Sequence, residues 1–385
     1  MKKILSNLNY PLLIFMIIYS ILGLLMIFSA SSVAAVLRYK VPTNYFFLKQ
    51  LKWLFLAYVG GFIILTFPTK TYQKLSFLAM GGILFALVLI FSIGKVSGGA
   101  KSWFEIGSVN FQPTEFAKVI LITFLSSYYY KVSLKKKIVL WDILFPLILS
   151  ALMVVLIMMQ PDFGGAFILF GITVMIFFSL PMAKKHKKTI VKVAVGGAII
   201  GAVSLLVFGK SIFRSYQVSR ILNFANPCER YTDESGYQVC NGYIAIHNGG
   251  LTGVGLGKST QKYLYLPEAH TDFIFPIICE ELGLIVGILI VVGYFVMLFL
   301  ILNIAKETDS LRNSILAYGI FAYILLHILI NLLGVLGLIP LTGVPLPFLS
   351  YGGSYNLSVI VSLFIVQRIN YENRENRKIE KLKNL

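Results

Sequence analysis

The chain has 385 residues, of which 57% are hydrophobic and only 13% are charged, and its net charge is +18. A soluble domain carries roughly 25% charged residues, so this composition excludes a cytosolic enzyme, a disordered protein and a secreted disulfide scaffold. The mean hydropathy of +0.82 indicates an integral membrane protein. The positive charge is then expected on loops that face anionic lipid, and nucleic acid is not an expected partner.

The apolar runs predict an all-α integral membrane protein with ten transmembrane helices, because a spanning helix needs about 20 mostly apolar residues. The first run is longer than the core of a signal peptide and shows no convincing cleavage site, so it is interpreted as a retained helix. Residues 1–385 are predicted to form one polytopic domain, with a fraying helical tail at 368–385. The ten runs lie at residues 11–36, 51–67, 75–93, 115–130, 143–159, 163–180, 190–212, 273–302, 315–339 and 347–366.

The distribution of Lys and Arg predicts the orientation. The basic runs at 135–137 and 184–188 are interpreted as cytoplasmic topology anchors, and both termini are then cytoplasmic. The loop at 213–271, between the seventh and eighth helices, would face outside and is too long for a simple connection. Carboxylates in or beside the apolar runs fall mostly at the outer ends, which predicts a working outer face.

The helix predicted after Pro113 carries two charged residues in its first two turns. Pro113 suits the first helical position, and Glu115 and Lys118 are three residues apart, hence on one face. Two interpretations stay open: a structural Glu–Lys pair, or a cationic lining for an anionic ligand that enters from outside. An idle ammonium at this depth would be costly, which favours the ligand-binding interpretation.

Two irregular segments interrupt the apolar pattern further along the chain. Asp162 follows Pro161 in a predicted hairpin and is expected to cap the next helix. Residues 340–354 contain three Pro and three Gly. Irregular backbone at membrane depth is tolerated only where it is buried or lines a cavity, so this segment is predicted to form a cleft wall.

The long loop combines glycines with basic side chains, among them Arg220 and Lys258. Backbone N–H groups and cations of this kind could form a phosphate-binding surface. Residues 255–259 superficially resemble a P-loop, but the spacing is wrong and the segment is predicted to face outside. Cys228 and Cys240 either form a disulfide, which is possible outside the cytosol, or are two packed thiols.

Asp272 ends the polar loop and opens an apolar helix. Partial desolvation at such a boundary suits a carboxylate to proton abstraction, whereas the alternative is an N-cap for the helix. Metal ligation by His270 is not favoured, because no second His or Cys lies at ligand spacing. Glu280 and Glu281 lie about two turns deeper and are expected to bond within the bundle, although a functional role stays open.

Five separated motifs, in this order and spacing, resemble the SEDS family (shape, elongation, division and sporulation) of bacterial membrane glycosyltransferases. The resemblance implies ten spans, a large outer loop after the seventh, and polymerisation of lipid II, the undecaprenyl-pyrophosphate-linked disaccharide pentapeptide, into glycan strands. It also implies a class B penicillin-binding protein and other divisome membrane proteins as partners. The motifs lie at residues 99–118, 160–165, 216–262, 266–283 and 340–354.

The resemblance also implies roles for individual residues. Asp272 matches the essential aspartate of the family's His-Thr-Asp-Phe segment, and Glu115 and Lys118 match a functional Glu and Lys. Lys101 and Ser102 stand where two Arg are frequent, so a bidentate phosphate contact is not expected there. Asp272 is therefore the expected catalytic residue, and a divalent cation, Mg²⁺ or Mn²⁺, is an open expectation as a cofactor. The expected substrate-binding residues are Lys118, Glu115, Lys101, Arg220 and Lys258.

Three segments, at 29–32, 45–50 and 268–270, are more similar to the division members of the family than to the elongation members. This favours a role at the septum, in the cytoplasmic membrane of a bacterium, and leaves an elongation polymerase of the same chemistry as the alternative. A lipid-linked substrate transporter would need access from both faces, whereas the carboxylates favour one. A non-enzymatic scaffold would need no aspartate at a hydrophobic boundary.

Overall fold

The computed structural model describes residues 4, 6–97, 100–107, 109–181, 188–192, 226–229, 231 and 234–383. Most of the predicted seventh span, most of the basic run at 184–188, and Arg220 lie outside these residues. The number of ten spans and the place of the long loop after the seventh therefore stay predictions.

The described residues are mainly helical, as predicted. The helices are α1 (Tyr10–Leu37), α2 (Tyr45–Thr66), α3 (Thr69–Ile93), α4 (Pro113–Ser133), α5 (Leu140–Met159), α6 (Phe163–Ser179), α7 (Glu234–Gly249), α8 (Ile274–Leu282), α9 (Leu284–Lys306), α10 (Leu311–Val335) and α11 (Gly353–Lys383).

Six stretches within the described residues are long and apolar enough to cross a membrane, and α6 is a shorter apolar helix. Large apolar side chains such as Phe55, Leu78 and Phe299 are exposed on these helices. Broad exposed apolar faces are typical of surfaces that lipid or another protein covers. The six stretches are Tyr10–Leu37, Tyr45–Thr66, Lys74–Ile93, Leu140–Met159, Leu284–Lys306 and Leu311–Val335.

A small antiparallel sheet joins α3 to α4, so the all-α prediction was wrong at this connection. Its strands are β1 (Lys95–Ser97), β2 (Ala100–Ile106) and β3 (Val109–Phe111), with β2 in the middle. The strand-forming residues Trp103, Phe104 and Ile106 favour extended chain. Strand pairing satisfies backbone groups that would otherwise lack partners beside the membrane.

The predicted eighth span is broken at Gly283, between α8 and α9. Gly283 has a φ of +88°, and a Cβ built there would lie 2.3 Å from the carbonyl oxygen of Leu251. The backbone N–H of Leu284 donates to the carbonyl oxygen of Gly250 at 2.9 Å. The helix is therefore interrupted because the chain after α7 packs directly against it.

The last helix differs from its prediction at both ends. It begins at Gly353, after the irregular segment, rather than at residue 347. It then continues without interruption to Lys383, so the tail predicted from residue 368 is helical up to that residue, and its fraying stays a prediction. Salt bridges from Arg368 to Glu372 and from Arg377 to Glu307 support this C-terminal part.

Helix α10 is mostly buried and packs against α4, α6, α9 and α11. It carries buried polar side chains near both of its ends: Arg312 and Asn313 at the first, His327 and Asn331 at the second. The second of these ends adjoins the segment that contains Asp272.

Candidate functional site

Glu115 and Lys118 form a buried ion pair at the start of α4. The Nζ atom of Lys118 lies 2.8 and 2.9 Å from the two carboxylate oxygens of Glu115. The residues are only 1% (Lys118) and 4% (Glu115) exposed. The pair that the spacing predicted is therefore present, and direct contact between Lys118 and a ligand stays a prediction.

His327 of α10 is a third member of this cluster, and the sequence analysis missed it. Its Nε2 atom lies 3.0 Å from Nζ of Lys118, and its Nδ1 lies 3.4 Å from the carbonyl oxygen of Pro345. Since an ammonium can only donate, Nε2 accepts and Nδ1 carries the ring proton toward Pro345. The available signal was a histidine inside an apolar run, because such residues are costly in membranes.

Asp272 lies at the boundary where the loop after α7 enters the bundle. It is 8% exposed, and Thr271 Oγ1 lies 3.1 Å from its Oδ1. Phe273 occupies the N-cap position of α8, so Asp272 does not hold the position that the capping interpretation assigned to it. A Cβ built on Gly343 would lie 3.6 Å from Asp272 Oδ2, which places this glycine beside the carboxylate.

Asn331 connects Asp272 to the irregular segment. Its Nδ2 atom donates to the carbonyl oxygens of Asp272, at 2.9 Å, and Val344, at 2.8 Å. Asn331 was not among the site residues predicted from the sequence. The detectable signal was a second polar residue four positions after His327 in an apolar run, which places both on one helical face.

The irregular segment that the Pro and Gly residues predicted is buried, and side chains supply its hydrogen bonds. Tyr294 donates to the carbonyl oxygen of Pro347, and Ser350 Oγ accepts from the N–H of Leu346 at 2.8 Å. With the bonds to Val344 and Pro345, these contacts satisfy backbone groups where water is excluded. The segment thus forms a fixed wall beside Asp272.

The remaining intramembrane carboxylates have the structural roles that were expected. Asp162 Oδ1 accepts from the N–H of Gly165 at 2.8 Å and caps α6. Glu281 accepts from Ser29 at 2.7 Å and from Lys262 at 2.9 Å. Glu280 accepts from Thr260 Oγ1 at 2.8 Å. Both glutamates therefore hold the chain after α7 to α8, and Glu281 also joins α1.

Three other cations were predicted to bind phosphate, and their positions differ from the buried position of Lys118. Lys101 is half-buried in β2, and its Nζ donates to the carbonyl oxygen of Phe91, at the end of α3, at 2.7 Å. Lys258 is exposed in the loop after α7. Arg220 lies outside the described residues. The roles of all three stay predictions.

Cys228 and Cys240 form a disulfide, so of the two open interpretations the disulfide is confirmed. Its Cα–Cα distance is 5.0 Å and its sequence separation is 12. The bond ties residues 226–229 to α7, whose residue Gly242 packs near Phe273 of the Asp272 segment. Cys279 is a buried free thiol in α8.

His270 is buried rather than arranged as a metal ligand. Its ring centroid lies 4.6 Å from that of Phe46. Burial, with a smaller effect from Arg38, lowers the pKa of His270 to about 4. In the part of the chain that the structure describes, no three His, Cys, Asp or Glu side chains converge as metal ligands.

Comparison with known proteins identifies relatives over nearly the whole chain. Residues 10–375 match the family model for FtsW, RodA and SpoVE, described as "Cell cycle protein". "Probable peptidoglycan glycosyltransferase FtsW" of Bacillus subtilis is 39% identical over 96% of this chain and 92% of its own length. "Stage V sporulation protein E" of the same species is 34% identical over 92% of this chain and 94% of its own length.

Solved structures share the fold. A chain from "Structural coordination of polymerization and crosslinking by a peptidoglycan synthase complex" has a TM-score of 0.74 and 23% identity, and covers 95% of this chain and 98% of that chain. The rod shape determining protein RodA of Thermus thermophilus has a TM-score of 0.68 and 22% identity, over 95% of this chain and 97% of its own. Together with the family match, these similarities show that the chain belongs to the FtsW, RodA and SpoVE family of cell cycle proteins, the SEDS family.

Proposed function

We propose that this protein is a peptidoglycan glycosyltransferase that polymerises lipid II into glycan strands during cell division. Relatives with 33–39% identity are named for this activity. The structural observation that carries the proposal is the carboxylate of Asp272, held beside Gly343 at the edge of a buried polar cluster. An elongation polymerase of the same chemistry is the alternative, and the many relatives named FtsW favour division.

The proposed orientation places the Asp272 end of the bundle outside the cytoplasmic membrane and both termini in the cytoplasm. The excess of Lys and Arg in alternate connections supports it. The septum is the proposed site of action. In this orientation the carboxylate faces the side on which glycan strands are built.

In the proposed reaction Asp272 takes the proton from a sugar hydroxyl of the acceptor lipid II. The hydroxyl oxygen then forms a bond to the anomeric carbon of the donor. The bond from that carbon to the diphosphate breaks, and undecaprenyl diphosphate leaves with the electron pair. No nucleotide is needed because the lipid diphosphate is already an activated leaving group. A positioned general base contributes typically about 10²–10⁴-fold to the rate.

Lys118 and Glu115 are proposed to lie on the donor side, with Lys101, Lys258 and Arg220 as further contacts to the diphosphate. The ammonium of Lys118 is already bound by Glu115 and His327. Direct contact would therefore require it to exchange one of these partners for a phosphate oxygen. A divalent cation that arrives with the diphosphate would add to this charge, and no proposed step depends on it.

A class B penicillin-binding protein is the proposed partner, with other divisome membrane proteins. The similarity in fold to a chain of a peptidoglycan synthase complex supports a synthase assembly. Polymerisation and crosslinking by two proteins in contact would allow a new strand to pass directly to the crosslinking enzyme.

The decisive experiment incubates the purified protein and its partner synthase with lipid II and resolves glycan polymer on a gel. We expect polymer from the native protein and at least a 100-fold lower rate from Asp272→Asn, which keeps the shape but cannot take the proton. The matched control is Asp142→Asn, because Asp142 is also buried but is bonded to Lys135 and the N–H of Val139 at the start of α5. Polymerisation by Asp272→Asn at the native rate would remove the catalytic assignment.

A further inference from the structure

Two side chains of α10, one turn apart, bind neighbouring carbonyl oxygens of the wall beside Asp272. His327 Nδ1 lies 3.4 Å from the carbonyl oxygen of Pro345, and Asn331 Nδ2 lies 2.8 Å from that of Val344. Residues four apart share a helical face, so one face of α10 holds two consecutive carbonyl groups of the wall. The other side of the His327 ring contacts Lys118 at 3.0 Å.

The amide group of Asn331 donates both of its protons to carbonyl oxygens. One goes to Val344 and the other to the carbonyl oxygen of Asp272. Only the nitrogen can donate to two carbonyls, so these contacts also fix which amide atom is nitrogen. Asn331 is 3% exposed, and within the described residues its Oδ1 has no hydrogen-bond partner.

A buried acceptor without a partner costs about 1–3 kcal/mol. A leucine of similar shape would avoid this cost, but it would leave the carbonyl oxygens of Asp272 and Val344 without these donors. The amide therefore bridges two chain segments, which the hydrogen bond from the N–H of Tyr351 to the carbonyl oxygen of His270, at 2.9 Å, joins at a second point. Those segments carry Asp272 and Gly343, and Gly343 lies beside the Asp272 carboxylate.

We propose that Asn331 is a positioning residue that fixes Asp272 against the wall at residues 343–344, and that His327 joins the same wall to the Lys118–Glu115 pair. The proposal rests on the proposed function, because it takes Asp272 as the base. Asn331 acts through Asp272 and not on the substrate. Its loss should therefore lower kcat and leave KM nearly unchanged, since a misplacement of about 1 Å costs on the order of 10²-fold.

The test measures kcat and KM for lipid II polymerisation by the native protein and its variants, each in complex with the partner synthase, together with the thermal midpoint. Asn331→Leu keeps the volume and removes both donors, and we expect a 10- to 100-fold loss of kcat, by the same misplacement argument. The matched control is Asn313→Leu on the same helix, because Asn313 is also buried and its amide donates to Glu372 at 3.1 Å. Asn313→Leu should lower the midpoint and retain kcat.

A second variant, Asn331→Asp, keeps the shape and offers at most one donor proton, so it should also lower kcat if Asn331→Leu fails to fold. Native kcat in either folded variant would overturn the proposal, and so would a raised KM with native kcat. Failure of both variants to fold would assign the amide to folding and reject the positioning role. An inactive native complex would instead count against the proposed function.

Discussion

Helix α10 contributes residues to two buried polar clusters. The clusters differ in how completely their polar atoms are hydrogen-bonded. The functional cluster consists of Glu115, Lys118, His327, Asn331 and Asp272. The clamp cluster consists of Thr69, Arg312, Asn313, Arg368 and Glu372. Arg312 and Asn331 are 19 positions apart, or roughly 28 Å along a helix. Both clusters lie in a mostly apolar bundle, so their hydrogen bonding can be compared to separate a folding role from the proposed chemical role.

The clamp cluster is well supplied with hydrogen bonds. Glu372 accepts from Thr69 N–H at 2.8 Å, Thr69 Oγ1 at 2.6 Å, Asn313 at 3.1 Å and Arg368 at 3.1 Å. Arg312 donates to Thr69 Oγ1 at 2.7 Å. These contacts fasten α3, α10 and α11 to one another. Within the described residues, none of the five side chains has a buried polar atom without a partner.

The functional cluster and its surroundings leave several buried polar atoms without a partner in the described part of the chain. They include Asn331 Oδ1, Tyr355 OH and His270 Nδ1. Tyr355 stacks on His327 at 4.7 Å, and His270 is two residues before Asp272. Folded proteins rarely leave such atoms unmatched, and functional sites are where local rules are broken. The contrast supports the proposal that the clamp cluster serves folding and the functional cluster serves the reaction.

The largest expected effect comes from breaking the buried pair of the functional cluster. Lys118→Met leaves the Glu115 carboxylate buried without its ammonium, and we expect the free energy of unfolding to fall by about 3–5 kcal/mol. Adding Glu115→Gln removes the uncompensated charge and should restore most of the thermal midpoint, but not polymerisation. A double variant that polymerises lipid II at the native rate would break the comparison, because the pair would then be structural only.

The next effect is a dependence of stability on pH. The pKa of His270 is lowered from 6.5 to about 4, so between these values the unfolded chain binds more protons than the folded one. Stability is therefore complete above about pH 6.5 and falls by roughly 3 kcal/mol as the pH falls to about 4. Thermal midpoints at pH 7.5 and 4 would measure this loss. His270→Phe should reduce the difference between the two midpoints, and an unchanged difference would contradict the assignment to His270.

A smaller loss is expected at the clamp cluster. Glu372→Gln replaces hydrogen bonds to a charged acceptor by weaker ones, and we expect a loss of about 2 kcal/mol. Because the cluster is far from Asp272, kcat per folded molecule should equal that of the native protein. A fall in kcat without a fall in the thermal midpoint would show that the clamp cluster also serves the reaction.

The smallest expected effect comes from adding one methyl group, as alanine, at either of two glycines. Gly343 has a φ of +69°, and Gly107, in the turn between β2 and β3, has a φ of +62°. Alanine at either position should cost about 1 kcal/mol, because a side chain disfavours this backbone conformation. Only Gly343→Ala places its methyl beside Asp272, whereas a Cβ at Gly107 meets nothing within 4 Å. Polymerisation assays should therefore separate two variants of equal stability, and equal rates would remove Gly343 from the site.

Features that depend on spacing within one helix could be predicted from the sequence. Glu115 and Lys118 are three residues apart, and their ion pair follows from helical geometry. Asp162 stands directly before Phe163, where α6 begins, and caps that helix. In both cases neighbours in sequence are also neighbours in space.

Features that depend on distant segments could not be predicted in this way. His327 and Asn331 are single polar residues in an apolar run, and their partners, Lys118 and Asp272, are 209 and 59 residues away. The break at Gly283 likewise arises because the chain after α7 packs against the helix. The sequence contains these residues, but it does not show which segments the bundle brings together.

The uninterrupted course of α11 has a mechanical consequence. Its 31 residues span roughly 46 Å, whereas the hydrocarbon core of a bilayer is about 30 Å thick. The helix is therefore about 15 Å longer than such a core is thick. Near its start, Ser358 donates to the carbonyl oxygen of Glu115 at 2.8 Å. We expect that a force applied at the C-terminal end of α11 is passed along one uninterrupted helix to the backbone of Glu115.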